Sequence, residues 1–251
     1  MNALAVLGER ALRESRRTLD AILPTLFIPL FFLVVNVGQV ARIFTADSAP
    51  FLEGQSYAAF QLPSSLLLAA SFGTAALYLV EEIEDGYFDK LRATPIARSS
   101  LVMGRLVAVA VQSVFMTTVL VLVSLLFGVS IASGPLGFLL LAVLAALWAI
   151  GYASFLQFVA LKTGSAAATN SASLIFFPLL FVTPNFVPRD LLTRPMEIAA
   201  SFNPVTYVVE GMRSLVLEDF NWSMIAPGFL VAGLFVAAMV ALDVRAVNSY
   251  D

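Results

Sequence analysis

The stretch EEIEDGYFDKLRATPIARSSLVMGR, residues 81–105, is the densest group of polar side chains in an otherwise apolar chain, with long apolar runs on both sides. Gly86 is placed to end the preceding helix in the left-handed conformation. Pro95 disfavours helix at the residue before it. The pattern predicts a short helix over 87–92 between two longer helices, and one of the serines at 99–100 is expected to cap the second.

Four carboxylates, Glu81, Glu82, Glu84 and Asp85, lie at the predicted C-terminus of the first helix. The helix macrodipole favours cations there, so this placement breaks a local rule. Such violations tend to mark functional sites. Two interpretations stay open: a solvated acidic end, or carboxylates that meet basic groups on the N-terminal segment or on a partner protein.

The composition indicates an integral membrane protein. Hydrophobic residues make up 60% of the 251 residues and charged residues 12%, whereas soluble domains carry roughly 25% charged residues. The absence of cysteine and histidine removes thiolate metal sites, disulfides and the commonest metal ligand.

Six apolar segments are each near the roughly 20 residues needed to cross the hydrocarbon core of a membrane. They are residues 22–40, 57–80, 106–127, 136–161, 168–187 and 225–242. The fold class predicted is therefore all-α, a single membrane domain with six transmembrane helices. Pro178 and Pro184 would bend the fifth span or make it partly re-entrant.

An amphipathic helix is predicted over residues 2–19, with Arg10, Arg13, Arg16 and Arg17 on its polar face. A basic amphipathic helix at a membrane border lies in the interface, although the same charges also serve as a plain topology signal. No cleavage motif follows, so we expect this segment to remain in the mature protein.

The distribution of Lys and Arg predicts that both termini and the 81–105 connector are cytoplasmic, because cytoplasmic loops carry the excess of positive charge. That orientation places ten of the 14 basic residues inside and four outside; the four are Arg42, Arg189, Arg194 and Arg213. The long outer segment 188–223 is predicted to form short helices at 196–200 and 207–217, packed over the bundle or dipping into the outer leaflet.

The predicted spans contain almost no ionisable side chains, which argues against a carrier driven by protons or sodium. The chain has no phosphate-binding loop and no catalytic or metal-binding motif. We therefore predict a non-enzymatic protein whose energy source, if it transports, lies outside this chain.

Two motifs resemble those of one family. The patterns ExxxG at 82–86, LRATPIxR at 91–98 and GR at 104–105 resemble the connector of type-2 ABC transporter permeases, the multidrug, antibiotic and polysaccharide exporter group. The segment FNPVTYVVEGMR at 202–213 is similar to the stretch that precedes the last span in that family. The resemblance covers essentially the whole chain.

The resemblance implies a pair of six-span subunits with two separate cytoplasmic ATPases, which bind the ATP and Mg, and no cofactor in this chain. The 87–92 helix would be the coupling helix, with Tyr87, Phe88 and Leu91 as an apolar plug in the ATPase. The implied coupling residues are Glu82, Gly86, Tyr87, Phe88, Asp89, Leu91, Arg92, Pro95 and Arg98.

The resemblance also implies an interface helix at the N-terminus and an outer gate of short helices before span six. The implied gate residues are Asn203, Pro204, Tyr207, Glu210 and Arg213. The expected substrate is hydrophobic or amphipathic: a drug, an antibiotic, a lipid or a lipid-linked glycan. We expect a cell-membrane location, homodimer or heterodimer formation and no nucleic-acid partner.

Two other functions remain open from the sequence. A membrane scaffold or assembly factor would bind a non-ATPase partner through the same connector. An ion-coupled carrier would lose transport when a proton or sodium gradient collapses while ATP stays intact.

Overall fold

The computed structural model of the protein describes residue 9 and residues 19–72, 75–94 and 96–250, and over these ranges it contains helices and no strand. The predicted interface helix, with Arg10, Arg13, Arg16 and Arg17, lies outside the described residues, and so does Pro95.

The described helices, in chain order, are α1 Leu19–Val40, α2 Tyr57–Ser71, α3 Ala75–Glu84, α4 Tyr87–Arg92, α5 Arg98–Leu126, α6 Gly134–Thr163, α7 Ala166–Ser173, α8 Phe176–Val182, α9 Arg194–Phe202, α10 Pro204–Leu217 and α11 Trp222–Asn248. Short 3-10 turns lie at Pro50–Leu52 and Arg189–Leu191. The two short helices predicted around Asn203-Pro204 are confirmed as α9 and α10.

The helices α5, α6 and α11 are each long and apolar enough to cross a membrane, and α2 and α3 together cover a fourth candidate span, Tyr57–Glu84. They correspond to the second, third, fourth and sixth predicted spans. At the first and fifth positions the apolar stretches are shorter, Thr25–Val40 and Ala166–Val182. The all-helical membrane class is confirmed, with four full-length spans among the described residues.

The fifth predicted span is broken. α7 ends at Ser173 and α8 begins at Phe176. Pro178 lacks the backbone N–H that would bond to the carbonyl of Leu174 in a continuous helix, and its ring crowds that carbonyl. The break at residues 174–175 lies where this missing bond would be.

The connector helix α4 spans the predicted residues, Tyr87–Arg92. Gly86 has φ 66° and ψ 11°, the left-handed conformation predicted for it. The predicted serine cap is wrong: α5 begins at Arg98 with Ala97 at the N-cap and no side-chain hydrogen bond there. The first turn of α5 therefore starts before the serines, which lie inside it.

α6 is the central helix and packs against α2, α3, α5, α7, α10 and α11. Trp148 of α6 is buried, donates a 2.9 Å hydrogen bond to Ser71 Oγ, and stacks on Phe235 with ring centroids 4.9 Å apart. The hydrogen bond gives the indole N–H the partner that a buried donor requires. Together with the stacking contact it holds α6 against both α2 and α11.

α10 and α11 approach each other through glycines. A Cβ atom placed on Gly228 would lie 2.9 Å from the Tyr207 carbonyl oxygen and 3.3 Å from the Gly211 Cα. Small residues allow helix backbones to pack this closely in membrane proteins. The contact holds α10 rigidly against the first turns of α11.

We predict that Gly228→Ala lowers the stability of the fold by about 1–3 kcal/mol, since the added methyl meets backbone atoms that cannot move independently. Thermal unfolding in detergent measures the change. Gly233→Ala is the matched control on the same helix, because a Cβ there has no atom within 4 Å. Equal melting temperatures for the two variants would contradict the close approach.

Candidate functional site

α4 is anchored to the bundle by Phe88. This side chain is 1% exposed and lies edge-to-face against Tyr250, with ring centroids 5.5 Å apart. It belongs to an apolar cluster that joins the ends of α3, α5, α6 and α11. The expected outward-facing plug therefore excludes Phe88, whereas Tyr87 is 40% exposed and Leu91 is half-buried.

The polar residues of the connector are tied to the C-terminal end of α11. Arg92 donates to the Tyr250 carbonyl, lies 4.8 Å from the ring centroid of Tyr250, and pairs with Asp89 at 3.1 Å. Arg98 Nη1 donates to the Asn248 carbonyl at 3.0 Å. Sequence analysis missed Asn248 and Tyr250; the only local signal was an aromatic residue beyond the last span.

A buried charged group lies beside α4. Glu82 of α3, which is buried, forms an ion pair with Arg105 of α5, which is partly buried. Asp243 of α11 is fully buried, neither of its carboxylate oxygens is hydrogen-bonded, and the charge of Arg105 acts on it. We name Glu82, Arg105 and Asp243 the connector charge cluster.

The connector charge cluster bears on two sequence interpretations. Of the four carboxylates at the end of α3, Glu82 turns inward to an arginine of the same chain, while Glu81, Glu84 and Asp85 are exposed. Glu82, Arg105 and Asp243 lie just outside the predicted second, third and sixth spans, so the expectation that these spans hold almost no ionisable groups is not contradicted. The guanidinium of Arg105, on α5, is ion-paired with Glu82 of α3, and its charge also acts on Asp243 of α11.

We predict that Arg105→Gln lowers stability by about 3–5 kcal/mol, because it leaves the buried Glu82 carboxylate without its ion-pair partner. Glu82→Gln should cost less, since the amide oxygen can still accept a hydrogen bond from Arg105. Melting temperatures in detergent measure both. Arg245→Gln, an exposed arginine on α11, is the control; a melting temperature for Arg105→Gln that matches it would show that the cluster carries no stabilising interaction.

At the opposite end of the bundle, Asn203 positions α10. Its Oδ1 accepts from the Val205 N–H at 3.0 Å, which caps the helix, while its Nδ2 donates to the Leu179 carbonyl at 2.6 Å and to Thr183 Oγ1 at 3.0 Å. Pro204 occupies the first helical position, which its fixed φ favours. Asn203 thus joins α10 to the broken helix α7–α8.

A cavity of about 610 Å³ lies beside α10. We name it the α10 cavity; its lining comprises Phe51, Glu53, Phe60, Pro188, Arg189, Asp190, Glu197, Tyr207, Glu210, Arg213, Ser214, Leu217, Glu218, Ser223, Met224 and Pro227. Three of the predicted gate residues, Tyr207, Glu210 and Arg213, line it together. Asn203 and Pro204 instead line a separate cavity of about 310 Å³ beside α8.

Arg189 and Glu210 form a two-point ion pair across the α10 cavity, at 3.0 Å (Nε–Oε1) and 2.5 Å (Nη2–Oε2). The Arg189 guanidinium also lies 5.0 Å from the Tyr207 ring centroid. Burial alone would lower the pKa of Arg189, but hydrogen bonding and the charge of Glu210 outweigh it and raise that pKa. The pair links the turn at 189–191 to α10.

Arg213 is the buried cation of this end, with 7% of its surface exposed. Its Cζ lies 3.6 Å from the Phe60 ring centroid and its Nε donates to the Phe60 carbonyl at 3.2 Å, whereas Nη2 has no hydrogen-bond partner. Burial lowers the pKa of Arg213 to about 10, against the opposing charge of Glu210. The guanidinium remains charged at neutral pH.

Sequence analysis missed Phe51, Phe60 and Arg189 as partners of the gate residues, because they come from separate segments with no shared motif. The α10 cavity touches the first turns of α11, whereas α4 contacts Tyr250, just beyond its last residue. α11 has 27 residues, so the two sites lie about 40 Å apart at 1.5 Å per residue.

Comparison with known proteins shows which family the sequence matches. The sequence model of the ABC-2 type transporters matches residues 3–217. The probable doxorubicin resistance ABC transporter permease protein DrrC of Mycobacterium tuberculosis (strain CDC 1551 / Oshkosh) is 24% identical over 244 residues, covering 94% of this chain and 84% of that protein.

Two further relatives cover similar shares. The daunorubicin resistance ABC transporter permease protein DrrB1 of Streptomyces coeruleorubidus is 24% identical, over 89% of this chain and 78% of that protein. The putative transport permease ycf38 of Pyropia yezoensis is 23% identical, over 87% and 77%. With its helical bundle and a family match over most of its length, the chain belongs to the ABC-2 type transporter family.

Proposed function

We propose that this chain is the membrane-spanning permease subunit of an ATP-driven exporter, powered by a separate cytoplasmic ATPase. The observation that carries the proposal is the mounting of α4. Phe88 holds this short helix on the bundle from within, while Tyr87, Asp89 and Lys90 are exposed on it. An exposed, firmly attached helix between two spans suits the docking of a protein that pushes on it.

The contacts of α4 supply a route for that push. Phe88 and Arg92 join α4 to the C-terminal end of α11, and the connector charge cluster joins the ends of α3, α5 and α11. Displacement of α4 therefore acts on three membrane helices. We propose Glu82, Gly86, Tyr87, Asp89, Leu91, Arg92, Pro95 and Arg98 as coupling residues, with Phe88 as the internal anchor.

The full arrangement we propose has six spans, cytoplasmic termini, a cell-membrane location and a second permease subunit. The basic N-terminal segment lies in the membrane interface beside α4. The ATP and Mg bind the partner ATPase. Since two relatives are named for resistance to doxorubicin or daunorubicin, we propose a hydrophobic or amphipathic substrate, a drug or antibiotic before a lipid or lipid-linked glycan, moved outward.

The test is affinity purification of the full chain from its native membrane in mild detergent, followed by mass spectrometry. We expect an ATPase with a phosphate-binding loop, and we expect Tyr87→Asp to remove it. A carboxylate pressed into an apolar groove without a partner costs at least about 2 kcal/mol, or roughly 30-fold in affinity. Tyr87 is a better target than half-buried Leu91, because its side chain is more exposed.

Leu191→Asp serves as the control, since Leu191 is an exposed apolar residue at the other end of the bundle. Equal ATPase recovery with both variants would remove α4 from the docking surface. Recovery of the intact chain with no ATPase would overturn the permease assignment and favour a scaffold.

A further inference from the structure

The segment at the end of α11 holds α4 although the two are distant in sequence. The Tyr250 ring lies edge-to-face against Phe88, with ring centroids 5.5 Å apart, and the Arg92 guanidinium lies 4.8 Å from the centroid of the same ring. Arg92 also donates to the Tyr250 carbonyl. Tyr250 thus contacts both the buried aromatic residue and the arginine of α4. We name residues 248–250 the α11 strap.

The α11 strap is bonded to the last turn of α11. The Ser249 N–H donates to the Arg245 carbonyl at 3.1 Å, and the Ser249 hydroxyl donates to the Ala246 carbonyl at 3.2 Å. Arg98, the first residue of α5, adds a second tie to the strap, since its Nη1 donates to the Asn248 carbonyl at 3.0 Å. The strap therefore moves with α11 and holds the connector on both sides of the turn between α4 and α5.

Breaks in the helix separate α4 from its neighbours in sequence. Gly86, between α3 and α4, has a left-handed backbone, and a Cβ placed on it would have no atom within 4 Å. The described residues between α4 and α5, which are 93, 94, 96 and 97, lie outside any helix. A push on α4 therefore has no continuous helix to follow on either side, and side-chain contacts such as those of the strap must carry it.

The opposite end of α11 is joined to α10. α11 extends as one helix from Trp222 to Asn248. Near its start, a Cβ placed on Gly228 would lie 3.3 Å from the Gly211 Cα of α10. Rigid helices and packed contacts carry energetic coupling between distant sites. A displacement of the α11 strap therefore reaches α10 through a single helix.

From these contacts we infer that the α11 strap is a positioning element that transmits the movement of α4 to α11, and through α11 to α10 at the other end of the bundle. Tyr250 is its central residue, because its ring and its carbonyl both contact α4. This deepens the proposed function and rests on it for the source of the movement, the partner ATPase. The attachment of α4 to the strap requires no ATPase.

Hydrogen exchange of the full chain in lipid nanodiscs, read by mass spectrometry, tests the attachment alone. We expect Tyr250→Ala to speed amide exchange in α4 about 10-fold, because it removes a ring–ring contact and a cation–π contact. Tyr250→Phe keeps the ring and the carbonyl, so its exchange should stay close to that of the unsubstituted chain. Unchanged exchange in Tyr250→Ala, or equal effects of the two variants, would overturn the inference.

A fluorescent label at the far end of α11 tests the transmission. Ser223 is exposed in the first turn of α11 and the chain has no cysteine, so Ser223→Cys accepts a bimane label at one site. In the complex with the recovered ATPase, we expect ATP to change the bimane emission. Tyr250→Phe should keep that change and Tyr250→Ala should lose it, with the ATPase still bound in both. An undiminished response in Tyr250→Ala would overturn the inference.

The two proposals fail separately. A complex that contains the ATPase but whose label responds equally in Tyr250→Ala and Tyr250→Phe would remove the strap and leave the permease assignment intact. A chain that recovers no ATPase would overturn the permease assignment and, with it, the coupling role of the strap, while hydrogen exchange still decides whether the strap holds α4.

Discussion

A guanidinium placed in apolar surroundings needs compensating charge or acceptors, and each end of this bundle is arranged around one such group. Arg105 is ion-paired with Glu82, and its charge acts on Asp243, where the ends of three helices meet near α4. At the other end of the bundle, the Arg213 guanidinium packs on the face of the Phe60 ring, and the charge of Glu210 acts on it. Because an unpaired buried charge is so costly, these contacts decide which helix faces can meet.

The parts of the fold that can be predicted from the sequence are those that depend on local hydropathy and backbone conformation. Apolar runs located the four long spans, and Gly86 located the start of α4, because left-handed backbone strongly favours glycine. The connector charge cluster escaped prediction for the same reason: Arg105 and Asp243 lie one residue outside the predicted third and sixth spans. A predicted span that ends at the first charged residue cannot include a charged residue that is buried in the folded protein.

The sites were predicted unevenly. The amphipathic pattern of α4 was visible, but a six-residue helix does not reveal which side faces the bundle, and only the structure shows Phe88 turned inward. Tyr207, Glu210 and Arg213 share one face of α10 by helical spacing. Their partners Phe51, Phe60 and Arg189 come from distant segments, and long-range packing of that kind leaves no local pattern.

The glycine contact between α10 and α11 has a mechanical consequence for the α10 cavity. At this contact the two backbones touch directly, with no side chains between them that could change rotamer to accommodate a movement of either helix. α10 and the start of α11 therefore form one stiff wall. The facing wall is the short turn at 188–191, held across the gap by the Arg189–Glu210 pair. Any widening of the α10 cavity on this side would therefore require the Arg189–Glu210 ion pair to open.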